Sequence, residues 1–372
     1  MATKVKVLNI LTGGLRREGI TSTQLEFMKR IDRTDVQVDI LAVHNNAHDI
    51  IEEFRTLGCN VIISPDRKKE LPKYLVVLFR LLKKEKYDVV HVHGSSSLLV
   101  VELVIAKLAG VPMRIAHSRN TRSENPKLHK FMRPMFDHSY THAIACGKDA
   151  GKWLFGDKPF TVIHNGKDLQ RFHFDIHVRE NIRKTFRMGN KLVIGYVGNL
   201  NDQKNLPFLV DVFAKVHKCQ PKSVLYIMGG GAMRESLEKQ ASSLDIENVV
   251  VFTGRITNVH EMLQAMDIMA LPSLFEGLPN VVLEWQISGL PCLISDTITR
   301  ECKVTNQVLF LPIDRGVDVW VDAILATNVG ADRTALSDTA CRELKAASFD
   351  IDENVKFLNE IYINAVEHGE NK

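Results

Sequence analysis

The sequence predicts an α/β chain built from two parallel-sheet, Rossmann-like domains. Three observations carry that prediction. Short β-rich runs alternate with helix-spaced patterns from one end to the other, which is the order of βαβ units. The chain has 372 residues, more than a single hydrophobic core usually organises. Glycines follow several apolar runs, at Thr12-Gly13-Gly14, at Gly198 and at Gly229-Gly230-Gly231. Those are places where a parallel strand hands over to a helix, and where open sheets bind ligands.

In the first half, Val5–Leu11 reads as the opening strand and runs through the glycines into a helix over residues 20–31. Strands follow at 36–43 and 61–64, then a helix at 74–86, a strand at 88–93, a helix at 98–109 and strands at 114–117, 143–146 and 161–163. The second half repeats the theme. Strands are expected at Leu192–Val197, 224–228, 249–253, Ile268–Leu271, Cys292–Ser295 and 308–310. Helices are expected at 206–218, 232–244 and 259–266, and a last one at 349–366. The two halves join near Asn165-Gly166, where Gly166 suits a turn that needs positive φ. This gives a domain of residues 1–165, a domain of residues 166–348, and a C-terminal segment 349–372.

Composition narrows the class. Apolar residues make up 45% and the net charge is only +4, so no nucleic-acid partner is called for. The six cysteines are scattered with no C-x-x-C pair, as expected of free thiols in a reducing cytoplasm. The first ten residues alternate lysine with valine and leucine and lack the apolar core of a signal peptide. No run approaches the ~18 uncharged apolar residues of a membrane span. The expectation is a soluble or peripheral protein. Residues 67–86 mix basic and apolar side chains. They read first as a sheet-covering helix with a charged outer face, and second as a peripheral contact with an anionic membrane.

The most informative stretch is Glu276-Gly-Leu-Pro-Asn-Val-Val-Leu-Glu284. It follows the Ile268–Leu271 strand and leads into a helix that begins near Pro279, a residue tolerated in a first turn. Free N–H groups at that helix start suit anionic or hydroxyl-rich ligands. Glu276 on the loop and Glu284 two turns into the helix can reach two parts of one elongated ligand. Lys204 follows the Leu192–Val197 strand and Gly198, and supplies a positive charge suited to a diphosphate. The Met228-Gly-Gly-Gly-Ala-Met-Arg234 turn is no dinucleotide fingerprint, because Arg234 stands where the third small residue belongs. It is either a tight strand–helix turn or a place of close ligand approach. His91 and His93 share one strand face and read as packing or polar lining rather than a zinc site, since no acidic or cysteine partner stands at ligand spacing. The D-x-D at Asp350-Ile-Asp352 reads as helix capping, with Glu353 as partner, rather than as a metal site.

Phe275-Glu-Gly-Leu-Pro-Asn280 with Glu284, preceded by Leu271-Pro-Ser and followed by Gly289-Leu-Pro-Cys-Leu-Ile-Ser295, resembles family 4 retaining glycosyltransferases of the GT-B fold. Among them the chain is most similar to bacterial capsular and exopolysaccharide glycosyltransferases. The resemblance spans nearly the whole sequence. It implies two Rossmann-like domains with an interdomain cleft and a C-terminal helix crossing back to the first domain. The first domain would bind the acceptor and the second the nucleotide sugar. The implied reaction moves a sugar from a nucleotide-diphosphate donor, a UDP-sugar, onto a saccharide or lipid-linked saccharide hydroxyl with retention. No metal and no cofactor are implied, and no protein nucleophile. Roles follow by the same resemblance. Glu276, with Gly277, Leu278, Pro279 and Asn280, would hold the donor sugar, and Glu284 the ribose. Lys204 would hold the diphosphate, while the family's usual arginine is replaced here by Asn199. Gly13, Gly14 and Gly230 would lie beside the donor, with Arg16 and Arg17 adding charge near the first two. His117, in Ala-His-Ser-Arg-Asn120, would sit near the donor sugar. Either Arg255 or another basic group supplies the cation missing at Asn199, or the diphosphate rests more on Lys204 and helix N–H groups; otherwise Arg255 stacks on the base or is a solvated loop residue. Two rivals stand beside this reading: a UDP-sugar 2-epimerase of the same fold, and a non-catalytic sugar-nucleotide-binding subunit.

Overall fold

The computed structural model of the protein describes residues 4–17, 19–121, 123 and 125–367; residues 368–372 of the expected C-terminal segment lie outside the described residues. The chain divides into two compact units, unit 1 of Met1–Gly166 with Ser348–Lys372, and unit 2 of Lys167–Ala347.

Unit 1 is a seven-stranded sheet of β1 (Val5–Leu11), β2 (Val36–Ala42), β3 (Asn60–Ile63), β4 (Val89–Gly94), β5 (Met113–Ser118), β6 (His142–Ala145) and β7 (Thr161–Val162). Its order is β3-β2-β1-β4-β5-β6-β7, with every neighbouring pair parallel. The central strands are covered on both faces and are largely apolar, apart from Asn9, Asp39, His91, His93 and His117. Along β1 the alternation of a strand sends Val5 and Val7 to one core, and Leu8 and Ile10 to the other. The first core also takes Phe27 and Met28 of the helix Gly19–Met28, and Ile50 and Phe54 of the helix His48–Thr56. The second takes Tyr74, Leu78 and Leu82 of the helix Leu71–Glu85 together with Leu103 and Phe136.

The last helix, Ile351–Glu367, belongs to unit 1 although sequence places it after unit 2. Ile351, Val355, Leu358, Tyr362 and Ala365 recur at helical spacing and are buried in the first core. Burying Val355 or Leu358 stabilises this docking by about 1.5–3 kcal/mol each. Asp350 starts the helix by accepting the Asp352 amide at 2.9 Å, and the Asp352 carboxylate pairs with Arg30 at 2.9 Å. Both carboxylates of the D-x-D are therefore engaged within the fold.

Unit 2 holds β8 (Leu192–Val197), β9 (Ser223–Met228), β10 (Val250–Gly254), β11 (Ile268–Leu271), β12 (Cys292–Ser295) and β13 (Val308–Leu311), in the order β10-β9-β8-β11-β12-β13, again all parallel. One core containing Tyr196, Phe213, Trp285 and Trp320 packs it together.

Each sheet reverses its strand order once, between β1 and β4 in unit 1 and between β8 and β11 in unit 2. The carboxyl ends of strands at such a point open a crevice. In unit 2, β8 and β11 pair only through Ile194–Ile268 and Gly195–Met269, so the last two residues of each diverge.

Some sequence expectations are corrected. Gly166 is not at positive φ; a Cβ there would lie 2.4 Å from the Ile351 Cα, so glycine is needed for the last helix to approach. The helix expected at 74–86 starts at Leu71, because Pro72 is accommodated in its first turn. Helices at Pro126–Phe136, Lys148–Phe155, Ile176–Thr185, Asp318–Ala326 and Arg333–Ala346, and the one at His48–Thr56, were not anticipated from the sequence. Of these, Ile176–Thr185 buries Ile182 alone and Pro126–Phe136 contains an internal proline, whereas Asp318–Ala326 buries Trp320, Val321 and Ile324 and His48–Thr56 buries Ile50 and Phe54.

Candidate functional site

In unit 2 the loops leaving β8 and β11 are tied to one another. The Leu274 amide donates to the Gln203 carbonyl at 2.8 Å, and Gln203 Nε2 donates to the Phe275 carbonyl at 2.9 Å. This stitching brings Lys204 to Glu276, where Lys204 Nζ ion-pairs with Glu276 Oε1. Ser273 Oγ donates to the same oxygen at 2.8 Å, and Gln203 Nε2 reaches Oε2 at 3.3 Å. Ser273 is itself buried and held by Thr297 Oγ1, which donates to its carbonyl at 2.9 Å. The paired side chains are only 16% and 10% exposed, so water screens them little. Tyr196 closes the cluster: its hydroxyl donates to the Asn199 carbonyl at 2.9 Å, and its phenol is pushed up by burial and then by the Glu276 charge.

Glu284 lies on the helix Asn280–Ile287, and its Oε1 accepts from Lys167 Nζ at 2.6 Å. Pro279 precedes that helix and no side chain caps it, so its first amides face outward without a side-chain acceptor. The Asn280 Oδ1 is buried and has no hydrogen-bond partner among the described residues. Gly277 and Leu278 lie on the connecting loop between Glu276 and the helix.

The triple-glycine turn after β9 has a structural explanation. A Cβ at Gly229 would lie 1.8 Å from the Gly198 carbonyl oxygen, and one at Gly231 would lie 2.2 Å from the Leu200 carbonyl oxygen. These glycines let two loop backbones meet, with the Leu200 amide donating to the Gly230 carbonyl at 3.1 Å. Gly230 itself lies along Arg255, whose Cγ would be 3.3 Å from an added Cβ. Arg255 and Asn199 are both exposed and flank the same pair of loops.

Unit 1 has its own cluster at the carboxyl ends of β1, β4 and β5, where Leu11, His93 and His117 stand in register. Gly13 is exposed in the turn that follows β1. Gly14, at φ +83°, allows the His44 backbone to approach: a Cβ would lie 2.0 Å from its carbonyl oxygen. Arg17 is engaged away from this turn, with Glu53 at 2.8 Å and Asp49 at 3.6 Å.

His91, His93 and His117 are fully buried and stacked, with ring centroids 4.0–5.1 Å apart. His91 Nδ1 meets the Tyr362 hydroxyl at 2.6 Å, and His91 Nε2 meets His117 Nδ1 at 2.9 Å. Arg119 Nη2 donates to His93 Nδ1 at 2.9 Å, and His93 Nε2 meets Asn9 Oδ1 at 2.8 Å. Arg119 Nη1 also donates to Asn165 Oδ1 at 2.8 Å. Burial holds all three imidazoles well below their usual pKa, and the Arg119 charge acts in the same direction. Burial lowers the Arg119 guanidinium to about 10. Three histidine ligand atoms within 4.8 Å would ordinarily suggest a metal. Here every ring nitrogen except His117 Nε2 is hydrogen-bonded within the protein, and the Arg119 guanidinium faces His93.

The structure thus joins Lys204 to Glu276 and Gly230 to Arg255. Sequence reasoning missed Ser273, Lys167, Arg119 and Tyr362. Ser273 stood in the Leu271-Pro-Ser segment before the motif and Arg119 two residues after His117 in the Ala-His-Ser-Arg-Asn120 run, whereas Lys167 and Tyr362 carried no signal.

Comparison with known proteins agrees with this architecture. Residues 17–171 match the family described as Glycosyltransferase Family 4, and residues 178–308 match Glycosyl transferases group 1. EpsF of Bacillus subtilis (strain 168), itself assigned as a glycosyltransferase, is 29% identical over 99% of this chain and 98% of its own. The Escherichia coli UDP-Gal:alpha-D-GlcNAc-diphosphoundecaprenol alpha-1,3-galactosyltransferase is 27% identical over 98% of each chain. The fold is also that of Anabaena Alr3699/HepE, crystallised in complex with UDP, at a TM-score of 0.79 and 17% identity over 96% of this chain and 99% of that one. The chain belongs to the family 4, group 1 glycosyltransferases and has their GT-B fold.

Proposed function

We propose that the protein transfers a sugar from a UDP-sugar to a hydroxyl of a saccharide carried on a lipid diphosphate, with retention of anomeric configuration and without a metal. The Lys204–Glu276 pair at the switch point of unit 2 is the observation that carries this reading. The ammonium of Lys204 has three N–H groups and Glu276 takes one, so two remain for the oxygens of a leaving diphosphate. Glu276 Oε2 accepts only from Gln203 at 3.3 Å among the described residues, which leaves capacity for a sugar hydroxyl. Glu284 uses Oε1 for Lys167 and has Oε2 for ribose hydroxyls. The relatives that act on UDP-galactose and a diphosphoundecaprenol-linked sugar, or were crystallised with UDP, support the choice of donor and acceptor class.

In this reading the acceptor oxygen forms its bond to the anomeric carbon on the face from which the diphosphate departs. The anomeric C–O bond to phosphate breaks, and the acceptor's proton passes to the leaving phosphate oxygen. The protein then contributes position and charge: Lys204 with Arg255 toward the diphosphate, Glu276 and the segment Gly277, Leu278, Pro279 and Asn280 toward the sugar, and in unit 1 His117 and the Gly13-Gly14 turn. A thermal-shift screen of nucleotide sugars tests the donor assignment, because a ligand specific to the native state raises its apparent stability. UDP release that requires an acceptor separates a transferase from a 2-epimerase, and turnover by the isolated chain removes the non-catalytic subunit.

A lipid-linked acceptor also calls for a membrane-facing surface. No helix among the described residues is long and apolar enough to cross a bilayer. The helix Pro126–Phe136, however, exposes Leu128, Phe131 and Met135 on one stripe, with Phe131 78% exposed, beside the exposed Lys127 and Lys130. The helix Leu71–Glu85, over the same core, exposes Val76 and Phe79 among Arg80, Lys83 and Lys84. Apolar wedges among cations suit the surface of an anionic bilayer.

A further inference from the structure

We propose that Tyr362, acting through His91, fixes His117 in the tautomer that carries its proton on Nε2, so that this buried ring presents a neutral N–H donor at the carboxyl end of β5. Tyr362 comes from the last helix and His91 from β4, so the C-terminal segment becomes a positioning element for unit 1's cluster.

The direction of the chain follows from the tyrosine. Tyr362 is fully buried, and its hydroxyl must donate its proton to an acceptor or lose a hydrogen bond in an apolar core. His91 Nδ1, at 2.6 Å, is the acceptor that it meets among the described residues. A neutral imidazole that accepts at Nδ1 carries its proton on Nε2. His91 Nε2–H therefore donates across 2.9 Å to His117 Nδ1, and His117 in turn carries its proton on Nε2. The reverse direction would leave the Tyr362 hydroxyl without an acceptor. Burial keeps the phenol protonated and both imidazoles neutral. His93 is set independently, since Arg119 can only donate to its Nδ1. Among the described residues His117 Nε2 is the one ring nitrogen of the trio with no partner, although it is fully buried, and it is the end of the relay. A neutral donor there suits a sugar hydroxyl or a phosphate oxygen and cannot serve as a base. The kinetic part of this inference rests on the assignment of His117 to the donor; the tautomer does not.

Long-range proton–nitrogen spectra of protein labelled at the imidazole nitrogens test it, with His117 assigned by the signals lost in His117→Ala. Expected is a single Nε2–H tautomer for His91 and His117 in the unaltered protein, and a mixture at His117 in Tyr362→Phe. An Nδ1–H form of His117 in the unaltered protein, or an unchanged spectrum in Tyr362→Phe, overturns the proposal. Kinetically, Tyr362→Phe lowers kcat/KM about three- to tenfold, the scale of one hydrogen bond, and adds no further loss when His117 is already alanine. Losses that multiply show Tyr362 acting on the fold generally and also overturn it. Should His117→Ala leave transfer intact, the donor assignment fails, while the spectra still decide the relay.

Discussion

Removing either partner of the Lys204–Glu276 pair should do more harm than removing both. Lys204→Met leaves Glu276, a carboxylate only 10% exposed, without its cation. Breaking a buried ion pair on one side costs about 3–5 kcal/mol, because the remaining charge is left uncompensated. Ser273 at 2.8 Å and Gln203 at 3.3 Å still bond the carboxylate and offset about 1 kcal/mol or somewhat more. A net loss of about 2–4 kcal/mol remains. For a unit of this size 1 kcal/mol moves the melting temperature by about 2–4 °C, so a fall of about 4–16 °C is expected. Glu276→Met leaves Lys204 unpaired and should behave similarly. The double variant carries no orphaned charge, and two methionines fill a similar volume, so it should recover to within about 1 kcal/mol of the parent.

Turnover separates stability from chemistry. All three variants should lose transfer by at least about 10²–10³-fold, the usual consequence of removing one preorganised group from a charge-stabilising site. Melting curves of the four proteins, with and without UDP, and initial rates with a UDP-sugar read both effects. UDP should raise the melting temperature of the parent and raise it much less for Lys204→Met. A double variant whose destabilisation equals the sum of the singles would refute the pairing argument. Near-normal turnover by Lys204→Met would remove the diphosphate assignment.

Glu284→Gln should weaken UDP binding by calorimetry, because a charge-assisted bond to a ribose hydroxyl is roughly twice as strong as a neutral one; unchanged affinity would take away that role. Glu276→Ala should cut turnover severely while leaving UDP affinity nearly intact, and the opposite result would exchange the two glutamates. Phe131→Ser with Met135→Ser should reduce co-sedimentation with anionic vesicles and leave transfer to a soluble acceptor unchanged. Lowering the pH should destabilise unit 1 below about 6.5. Its three buried histidines stay neutral when folded and gain protons when unfolded, so each removes up to about 1.4 kcal/mol per pH unit as the pH falls. Melts from pH 7.5 to 5 should show it, with a shallower slope for His93→Asn. Asn199→Arg should maintain or raise activity and tighten UDP, since Asn199 is exposed and a second cation has room there; inactivation would show that a cation from elsewhere, Arg255 foremost, already fills the place.

The sheets were legible because buried parallel strands are continuous apolar runs. Val5–Leu11, Leu192–Val197, Ile268–Leu271 and Cys292–Ser295 begin and end where their patterns do. Lys204 and Glu276 were legible as separate candidates from local context, a strand end followed by glycine and a glutamate before a helix start. Their direct pairing was not, because it depends on two crossing loops 72 residues apart. Tyr362 lay further out of reach. It lies 271 residues from His91, and in the sequence it is one more apolar-face residue of an amphipathic helix. Nothing local distinguishes a tyrosine buried for its ring from one buried for its hydroxyl. Gly166 was read for its φ when the reason was the approach of a backbone from the far end of the chain. Among the helices not anticipated, Ile176–Thr185 buries Ile182 alone and so offers little apolar spacing to read, and Pro126–Phe136 is interrupted by Pro134.

Glu276 and Glu284 share one arrangement. Each gives one carboxylate oxygen to a lysine, Lys204 for Glu276 and Lys167 for Glu284, and leaves the other oxygen lightly bonded or free among the described residues. Neither ion pair has to break for a hydroxyl to bind. A lone glutamate at such a position would lose side-chain entropy on meeting its ligand and would repel a diphosphate. With its lysine in place, the entropy is already lost in folding, and the local charge is neutral before the nucleotide arrives. The lysine of the first pair can then turn its remaining N–H groups to the phosphates. On this argument Lys167, which nothing in the sequence marks, matters for UDP affinity nearly as much as Glu284. Lys167→Met should weaken UDP binding although its own contact is with the protein, and Lys167→Arg should largely restore it.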